Sequence, residues 1–261
     1  MSTTNTNYIA ASSMSTFENK IAIHTNNISN AQTRGYKDFI PLIKDIGYEY
    51  EKGANNFTDN MAAQGIQYGM GSNIASTVRL LASGQIVQSE SPYDFAIRGK
   101  GYFQIQKNDG TIAYTRDGTF TLDKERRIVT TEGNLLIPEI TVPQEVTDLT
   151  VKSNGEIFVK VDGQVELQQI GQLEIAVFTN ENGLRAIGNN LLDQTDASGT
   201  AIIATPESDG YGSVVQYAYE SSNTSTLKNI MDINSSSKIY GFLTKVIQQY
   251  GQMQNALTER V

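Results

Sequence analysis

The chain has 261 residues, enough for more than one domain, and 39% of them are hydrophobic, so a buried core is expected. Its formal charge of −8 argues against a nucleic-acid partner, because phosphate neutralisation needs clustered Lys and Arg, and gives equally little support to binding an anionic membrane surface. Cysteine is absent and histidine occurs once, which leaves no residue set for disulfides, a zinc site, or Cys-His or Ser-His-Asp catalysis, so we expect no metal and no cofactor.

No cleaved secretory signal is expected at the beginning of the sequence. Residues 1–7 are polar and uncharged, and they lack the basic and apolar regions of a cleaved secretion signal. No run of eighteen apolar residues occurs, so no helical membrane span is expected. A location outside the cytoplasm would therefore require export without a cleaved peptide.

The first predicted element is a helix over residues 8–30. Its seam residues recur at alternating steps of four and three, a spacing typical of a helix that packs on a second helix. They are Ala10, Met14, Phe17, Ile21, His24 and Ile28. A run rich in Asn, Ser and Gly follows, so the helix is expected to end between Ser29 and Arg34. His24 is interpreted as a packed or partner-bonded helix residue, because no Cys or carboxylate stands at metal-ligand spacing.

The middle of the chain changes its period. Residues 39–73 mix glycines with short polar runs, which predicts an extended linker with room for one short hairpin. Residues 74–221 alternate in short strand-like runs, such as Tyr102 to Gln106, separated by Asp-Gly and Asn-Gly turns. This pattern predicts an antiparallel sandwich or an open barrel, and it argues against a parallel βαβ fold.

A second helix is predicted after residue 221, and Leu227 and Ile230 open it. A seam at three-four steps continues it through Ile239, Phe242, Val246, Gln249, Met253 and Ala256, five of which are apolar. The serine-rich run at 234–237 favours local hydrogen bonds, so a kink is expected there.

The seams at the two ends of the chain match, which predicts that the terminal helices pair as a coiled coil. The predicted fold class is therefore α+β. It has a discontinuous helical coiled-coil domain of residues 1–38 and 222–261, a linker of residues 39–73, and a β-rich outer domain of residues 74–221.

Two alternatives from other functional classes remain open at this point. The carboxylates Asp117, Asp123, Glu125 and Glu132 could supply an acid/base pair for glycoside hydrolysis, although two of them stand at turn positions where Asp is routine. A secreted β-rich adhesin or fibre protein would share the β domain, but it would not need matched terminal seams.

Three blocks of sequence carry a family resemblance. The first is Asn26-Asn27-Ile28-Ser29-Asn30-Ala31 followed by Arg34-Gly35-Tyr36-Lys37. The second runs from Asp94 to Phe103 and continues with Ala113-Tyr114-Thr115-Arg116-Asp117-Gly118 and Phe120. The third is Glu220-Ser221-Ser222-Asn223. Together they resemble the signatures of the flagellar axial proteins, the rod and hook family. The chain's length and its Ala-Ile-Arg-Gly block are most similar to the distal rod branch, and proximal rod or hook-family paralogues are the alternative.

The resemblance implies a structural subunit of the basal-body rod without enzymatic activity. Such subunits leave the cell through the flagellar type III export apparatus without signal cleavage. In the periplasm they stack helically into the drive shaft that transmits torque to the hook, with the terminal helices as an inner coiled-coil tube. The implied partners are further copies of the chain, the neighbouring rod and hook axial proteins, and the export apparatus.

Self-assembly is expected to rest on the terminal segments. The residues expected to carry it are Met14, Phe17, Ile21, Asn26, Asn27, Ile28, Asn30, Gly35, Ile239, Phe242, Val246 and Met253.

Overall fold

The computed structural model describes residues 3–52, 66–162, 166–208 and 210–258. Helix α1 spans Thr3–Ser29 and helix α2 spans Thr226–Thr258, with strands between them. The strands are β1 Phe39–Asp45, β2 Tyr48–Lys52, β3 Ile66–Gly69, β4 Ser72–Arg79, β5 Ile86–Gln88, β6 Phe95–Arg98, β7 Tyr102–Gln106, β8 Ile112–Thr115, β9 Phe120–Leu122, β10 Ile128–Thr130, β11 Leu135–Ile137, β12 Val146–Val151, β13 Glu156–Val161, β14 Gln168–Gln172, β15 Ile175–Val177, β16 Arg185–Gly188, β17 Leu191–Asp193, β18 Ile202–Ala204, β19 Ser213–Gln216 and β20 Ala218–Glu220. The α+β class and the antiparallel β domain are as predicted.

The chain divides into two compact units. The helical unit comprises residues 1–29, 39–78 and 225–261, and the β unit comprises residues 30–38 and 79–224. None of the helices in the described ranges is long and apolar enough to cross a membrane.

In the helical unit, α1 packs against α2 and against β1. The helix ends at Ser29, inside the predicted range. The seam residues of α1 lose much of their exposure: Ala10 and His24 are buried, and Met14, Phe17, Ile21 and Ile28 are half-buried.

Strands lie within residues 39–52 and 66–79, where the sequence predicted an extended linker over residues 39–73. Strand β1 pairs with β4, and β2 pairs with β3 in antiparallel register. The Thr16 hydroxyl of α1 donates to the carbonyl of Ser72 at the start of β4, at 2.6 Å, which connects the β1–β4 pair to the helix. These strands were missed because each is stabilised by a partner more than ten residues away rather than by its own pattern. The glycine- and asparagine-rich part of the predicted linker at residues 53–65 lies outside the described residues.

Helix α2 is continuous through residues 234–237, so the serine-rich run does not interrupt the helix. Ser236 is fully buried, and its hydroxyl donates to the carbonyl of Asp232 at 2.7 Å. The hydroxyl therefore bonds inside the helix, to the carbonyl four residues before it, and the helix is not interrupted.

The covered row of α2 differs from the seam predicted for it. Its buried and half-buried positions include a row at steps of four and three, namely Asn229, Ile233, Ser236, Tyr240, Leu243, Ile247, Tyr250 and Gln254. The predicted seam lies beside this row, and Ile239, Phe242, Val246 and Met253 remain 37%, 63%, 45% and 63% exposed. The single chain thus covers the row that carries Asn229 and Ser236 and leaves the more apolar row largely open.

The β unit is built on an open antiparallel sheet of order β16-β17-β8-β7-β11-β10-β9, with β15 also paired to β7 and to β18. Smaller sheets pair β12, β13 and β14, β19 with β6, and β20 with β5. The described strands do not close into a barrel. The Asp109-Gly110 turn joins β7 to β8 as predicted, with Lys107 N–H donating to the Thr111 carbonyl at 2.9 Å. Phe95, Phe103 and Phe120 form the aromatic centre of the core. The ring centroid of Phe120 lies 5.8 Å from that of Phe95 and 5.3 Å from that of Phe103.

The burial of Ser236 gives a first prediction. Ser236→Leu places a large side chain where the serine is 0% exposed, so neighbouring side chains must move. We therefore expect the free energy of unfolding of the helical unit to fall by about 1–3 kcal/mol. Thermal unfolding followed by circular dichroism at 222 nm measures the loss. The matched control is Ser237→Leu on the exposed side of the same helix, which should change little. Equal effects of the two variants would contradict the packing described for α2.

Candidate functional site

The first and third signature blocks meet inside the β unit. The Gly35 N–H donates to the carbonyl of Glu220 at 2.8 Å, and the Asn223 N–H donates to the carbonyl of Tyr36 at 3.3 Å. The chain leaves α1 just before the first of these segments and enters α2 just after the second. This junction is the candidate site.

Its centre is the carboxylate of Glu220, which is 1% exposed. Oε1 accepts hydrogen bonds from Lys37 Nζ at 2.5 Å and from the Gly84 N–H at 2.7 Å. Oε2 lies 3.0 Å from Arg116 Nε, which is an ion pair without the alignment of a hydrogen bond. One carboxylate thus faces two buried cations, and burial lowers the pKa of Lys37 although the Glu220 charge opposes the shift.

Asn223 connects its own segment to two others of the β unit by hydrogen bonds of its side chain. Its Nδ2 donates to the carbonyls of Leu80 and Ala82, both at 2.8 Å, while its Oδ1 accepts from the Asp38 N–H at 2.8 Å. Lys37 Nζ also donates to the Ala82 carbonyl at 3.0 Å. These groups belong to the two signatures, to Asp38 next to the first of them, or to the turn after β4, so hydrogen bonds connect the segments of the junction.

Gly35 sits where only glycine fits. Its φ is +69°, and a Cβ on it would come within 2.8 Å of the backbone of Arg116 and Asp117. The preceding Arg34 places its guanidinium 4.1 Å from the ring centroid of Tyr219 and donates to Thr119 Oγ1 at 3.1 Å. Within the β unit, the turn after α1 is therefore held by one close backbone approach at Gly35 and by the stacking of Arg34 on Tyr219.

A second polar junction lies in the helical unit, where α1 ends and β1 begins. Asn27 is 0% exposed, and its Oδ1 and Nδ2 pair with the N–H and carbonyl of Phe39 at 3.0 and 2.8 Å. Nδ2 also donates to Asn229 Oδ1 at 3.2 Å, and His24 Nδ1 lies 2.7 Å from the same oxygen. The end of α1, the start of β1 and the first turns of α2 are joined here.

Comparison with known proteins decides the family. Residues 8–37 match the family described as flagella basal body rod protein, and residues 96–159 match the flagellar hook protein FlgE/F/G D1 domain. The flagellar basal-body rod protein FlgG of Caulobacter vibrioides is 37% identical over 253 residues, which are 96% of this chain and 97% of that protein. The FlgG proteins of Borreliella burgdorferi and Bacillus subtilis are each 34% identical, over 94% and 78% of both chains.

The chain belongs to the flagellar basal-body rod protein family. It is a structural component of the flagellar basal body and not an enzyme. The recognised resemblance is therefore confirmed over nearly the whole length.

Two of the four carboxylates considered for hydrolysis, Asp117 and Asp123, make contacts that serve the fold of this rod protein. Asp117 Oδ1 accepts from the N–H and hydroxyl of Thr119 at 3.1 and 2.6 Å. Asp123 pairs with Arg127 at 2.7 Å; burial alone would raise the pKa of Asp123, but the hydrogen bonds from Arg127 outweigh it and the pKa is lowered. Their contacts make Asp117 a turn residue and Asp123 an ion-pair residue.

The residues expected to carry assembly fall in different places in the rod protein. Met14, Phe17, Ile21, Ile28, Asn26 and Asn27 lie on α1, the four predicted positions of α2 are exposed, and Asn30 and Gly35 belong to the β unit. Asn30 Oδ1 accepts from the Thr33 hydroxyl at 3.1 Å and so shapes the turn after the helix.

The sequence did not single out Lys37, Arg116, Glu220 and Asn223, although all four stand in the signature blocks. Opposite charges in blocks far apart in sequence were the available signal. Nothing in the sequence marks Asn229.

Two rod-protein variants test the buried cluster. Glu220→Gln leaves Lys37 and Arg116 without a carboxylate, so the free energy of unfolding of the β unit should fall by about 3–5 kcal/mol. Lys37→Met keeps the Glu220–Arg116 pair and removes the surplus charge, so its loss should be clearly smaller. Urea unfolding followed by tyrosine fluorescence compares the two. A loss at Lys37→Met that equals or exceeds the loss at Glu220→Gln would contradict the assignment of Glu220 as the centre.

The close approach of Gly35 to the backbone of Arg116 is tested by comparison with Gly110, which also has a positive φ but has free space around it. Gly110 has a φ of +81° with nothing within 4 Å of an added Cβ, so Gly110→Ala should cost only about 1 kcal/mol. Gly35→Ala has the same conformational cost and adds a clash with the backbone of Arg116, so it should lower the free energy of unfolding by more than Gly110→Ala does. The difference in urea midpoint between the variants measures the contact, and similar midpoints would show that the close approach is unimportant.

Proposed function

We propose that this chain is a subunit of the distal rod that polymerises helically with copies of itself through its terminal helices. The observation that carries the proposal is the open apolar row of α2, where Ile239, Phe242, Val246 and Met253 are 37–63% exposed in the single chain. Contiguous exposed apolar surface of this kind marks an interaction site. Its three-four spacing is suited to packing against a further helix as a coiled coil.

The distal position is supported by a comparison within one organism. The Caulobacter vibrioides protein named FlgG is 37% identical to this chain, whereas the protein named FlgF from the same organism is 25% identical. We therefore favour the distal over the proximal place in the drive shaft that transmits torque to the hook.

The proposed partners are further copies of this chain and the rod and hook proteins on either side. Self-association is favoured because the exposed row of α2 and the half-buried row of α1 exist in every copy, so each subunit offers the same apolar helix surface to the next. The proposed route is export by the flagellar apparatus without signal cleavage, and the proposed place is the rod as it crosses the periplasm.

A charge in the open row tests the proposal. Val246→Asp puts a carboxylate where an apolar contact with a neighbouring subunit is expected, so polymers measured by sedimentation and electron microscopy should be lost. The β unit should stay folded, as shown by an unchanged urea midpoint. The matched control is Gln248→Asp, which adds the same charge at an exposed polar position of α2 and should polymerise. Normal polymerisation by Val246→Asp would remove the row from the assembly interface.

A further inference from the structure

A cavity of the β unit lies against the buried charge cluster. Its volume is about 470 Å³, within the range of roughly 300–1,000 Å³ that is typical of small-molecule sites. Lys37 and Arg116 line it, although they are only 6% and 7% exposed. Glu220, the carboxylate that pairs with both, is not one of the lining residues. The cavity therefore borders the cations of the cluster and not its carboxylate.

Lys37 keeps one donor for a further acceptor. Its ammonium group carries three N–H bonds. Glu220 Oε1 accepts from one of them, and the carbonyl of Ala82 accepts from another at 3.0 Å. Among the described residues, the third N–H has no acceptor, and the residue that carries it lines the cavity.

Arg116 also keeps one donor. Its guanidinium carries five N–H bonds, two of them on Nη1. The carbonyl of Gly101 accepts from Nη1 at 2.6 Å, and Nη2 donates to the carbonyl of Gly99 at 2.8 Å and to the Ser83 hydroxyl at 3.3 Å. Nε lies 3.0 Å from Glu220 Oε2. The second N–H of Nη1 is thus left without an acceptor in the part of the chain that the structure describes.

The lining carries more positive than negative charge. It includes a third cation, the exposed Lys100 of the turn between β6 and β7, and one carboxylate, Glu181. Glu181 Oε2 already accepts a hydrogen bond from the Tyr102 hydroxyl at 2.8 Å. With Glu220 counted as well, three cations stand against two carboxylates. One positive charge of this group is therefore not balanced within it.

The surroundings of the two buried cations favour an additional anion. Burial lowers the pKa of Lys37, and the charge of Arg116 lowers it as well, although Glu220 raises it. A carboxylate placed beside both cations would stabilise their charged forms. Leu81 and Phe178 add apolar lining, which suits the hydrocarbon part of a carboxylic acid.

We propose that this cavity binds one carboxylate group through the remaining N–H donors of Lys37 and Arg116. Two sources offer such a group: a small carboxylic acid in solution, and an Asp or Glu side chain of a second copy. The chain has 28 Asp and Glu residues against 20 Lys and Arg residues, so acidic side chains are plentiful on every copy. The cavity belongs to the β unit of one chain, so the proposal does not rest on polymerisation.

Butyrate and butyramide test the proposal on the unmodified full-length chain. The two molecules have nearly the same shape, but only butyrate carries a charge. Saturation-transfer NMR at neutral pH and constant ionic strength compares their affinities. Butyrate should bind saturably, and butyramide at least about tenfold more weakly, because hydrogen bonds to a charged group are the stronger ones. Equal binding of the two, or no saturable binding of butyrate, would overturn the proposal.

Lys37→Met locates the binding in the cavity. Removing one of the two donors should weaken butyrate binding at least about tenfold. The matched control is Lys160→Met, which removes the same charge at an exposed position of β13 and should bind butyrate as the wild type does. The urea midpoint of each variant shows whether its β unit is folded. Wild-type affinity for butyrate in folded Lys37→Met would overturn the proposal, and the comparison with butyramide requires no variant.

Polymerisation of the wild type distinguishes the two sources of the carboxylate. If an acidic side chain of a second copy fills the cavity, excess butyrate should reduce the polymers measured by sedimentation, whereas butyramide should not. If a free acid fills it, butyrate should leave the polymers unchanged. Both results agree with a carboxylate site. A wild-type chain that binds butyrate but forms no polymers would count against the proposed function and not against the cavity.

Discussion

The Glu220 carboxylate can leave water only because Lys37, Arg116 and the Gly84 N–H replace its hydration. Lys37 belongs to the segment that follows α1, and Glu220 ends the strand that precedes α2. The charge cluster therefore joins, inside the β unit, the segment that follows α1 to the strand that precedes α2. Asn27 performs the corresponding task in the helical unit by pairing with the backbone of Phe39. Polar contacts thus join separate segments within each unit, Lys37 to Glu220 in the β unit and Asn27 to Phe39 and Asn229 in the helical unit, and none of these contacts involves the apolar row of α2.

Local signals predicted the elements whose structure depends on nearby residues. The Asp109-Gly110 turn, strand β7 and the end of α1 follow from turn chemistry and period, and they are found where the sequence places them. The covered row of α2 could not be predicted in this way, because two neighbouring rows share the three-four spacing. Apolarity favours the row of Phe242 and Val246, whereas the chain covers the row in which Ser236 is small and Asn229 has polar partners. That choice depends on the surface of the opposing elements, which no single segment encodes.

The contacts of the junction in the β unit could not be predicted from local sequence either. The signature blocks locate Gly35, Lys37 and Glu220, but the reason for each residue lies in a segment far along the chain. Gly35 is required by the backbone at Arg116, and Lys37 by a carboxylate 183 residues away. Family resemblance marks such positions without explaining them, and the hydrogen bonds of the structure supply the physical cause.

The central claim is that one row of α2 serves the single chain and the neighbouring row serves assembly. Electron cryomicroscopy of the assembled rod, at a resolution that shows side chains, tests this most directly. The account predicts that Phe242, Val246 and Met253 contact a neighbouring subunit, while Tyr240, Leu243 and Ile247 face α1 of their own chain. A rod in which the row of Phe242 packs on its own α1, and the row of Tyr240 faces the neighbour, would contradict it.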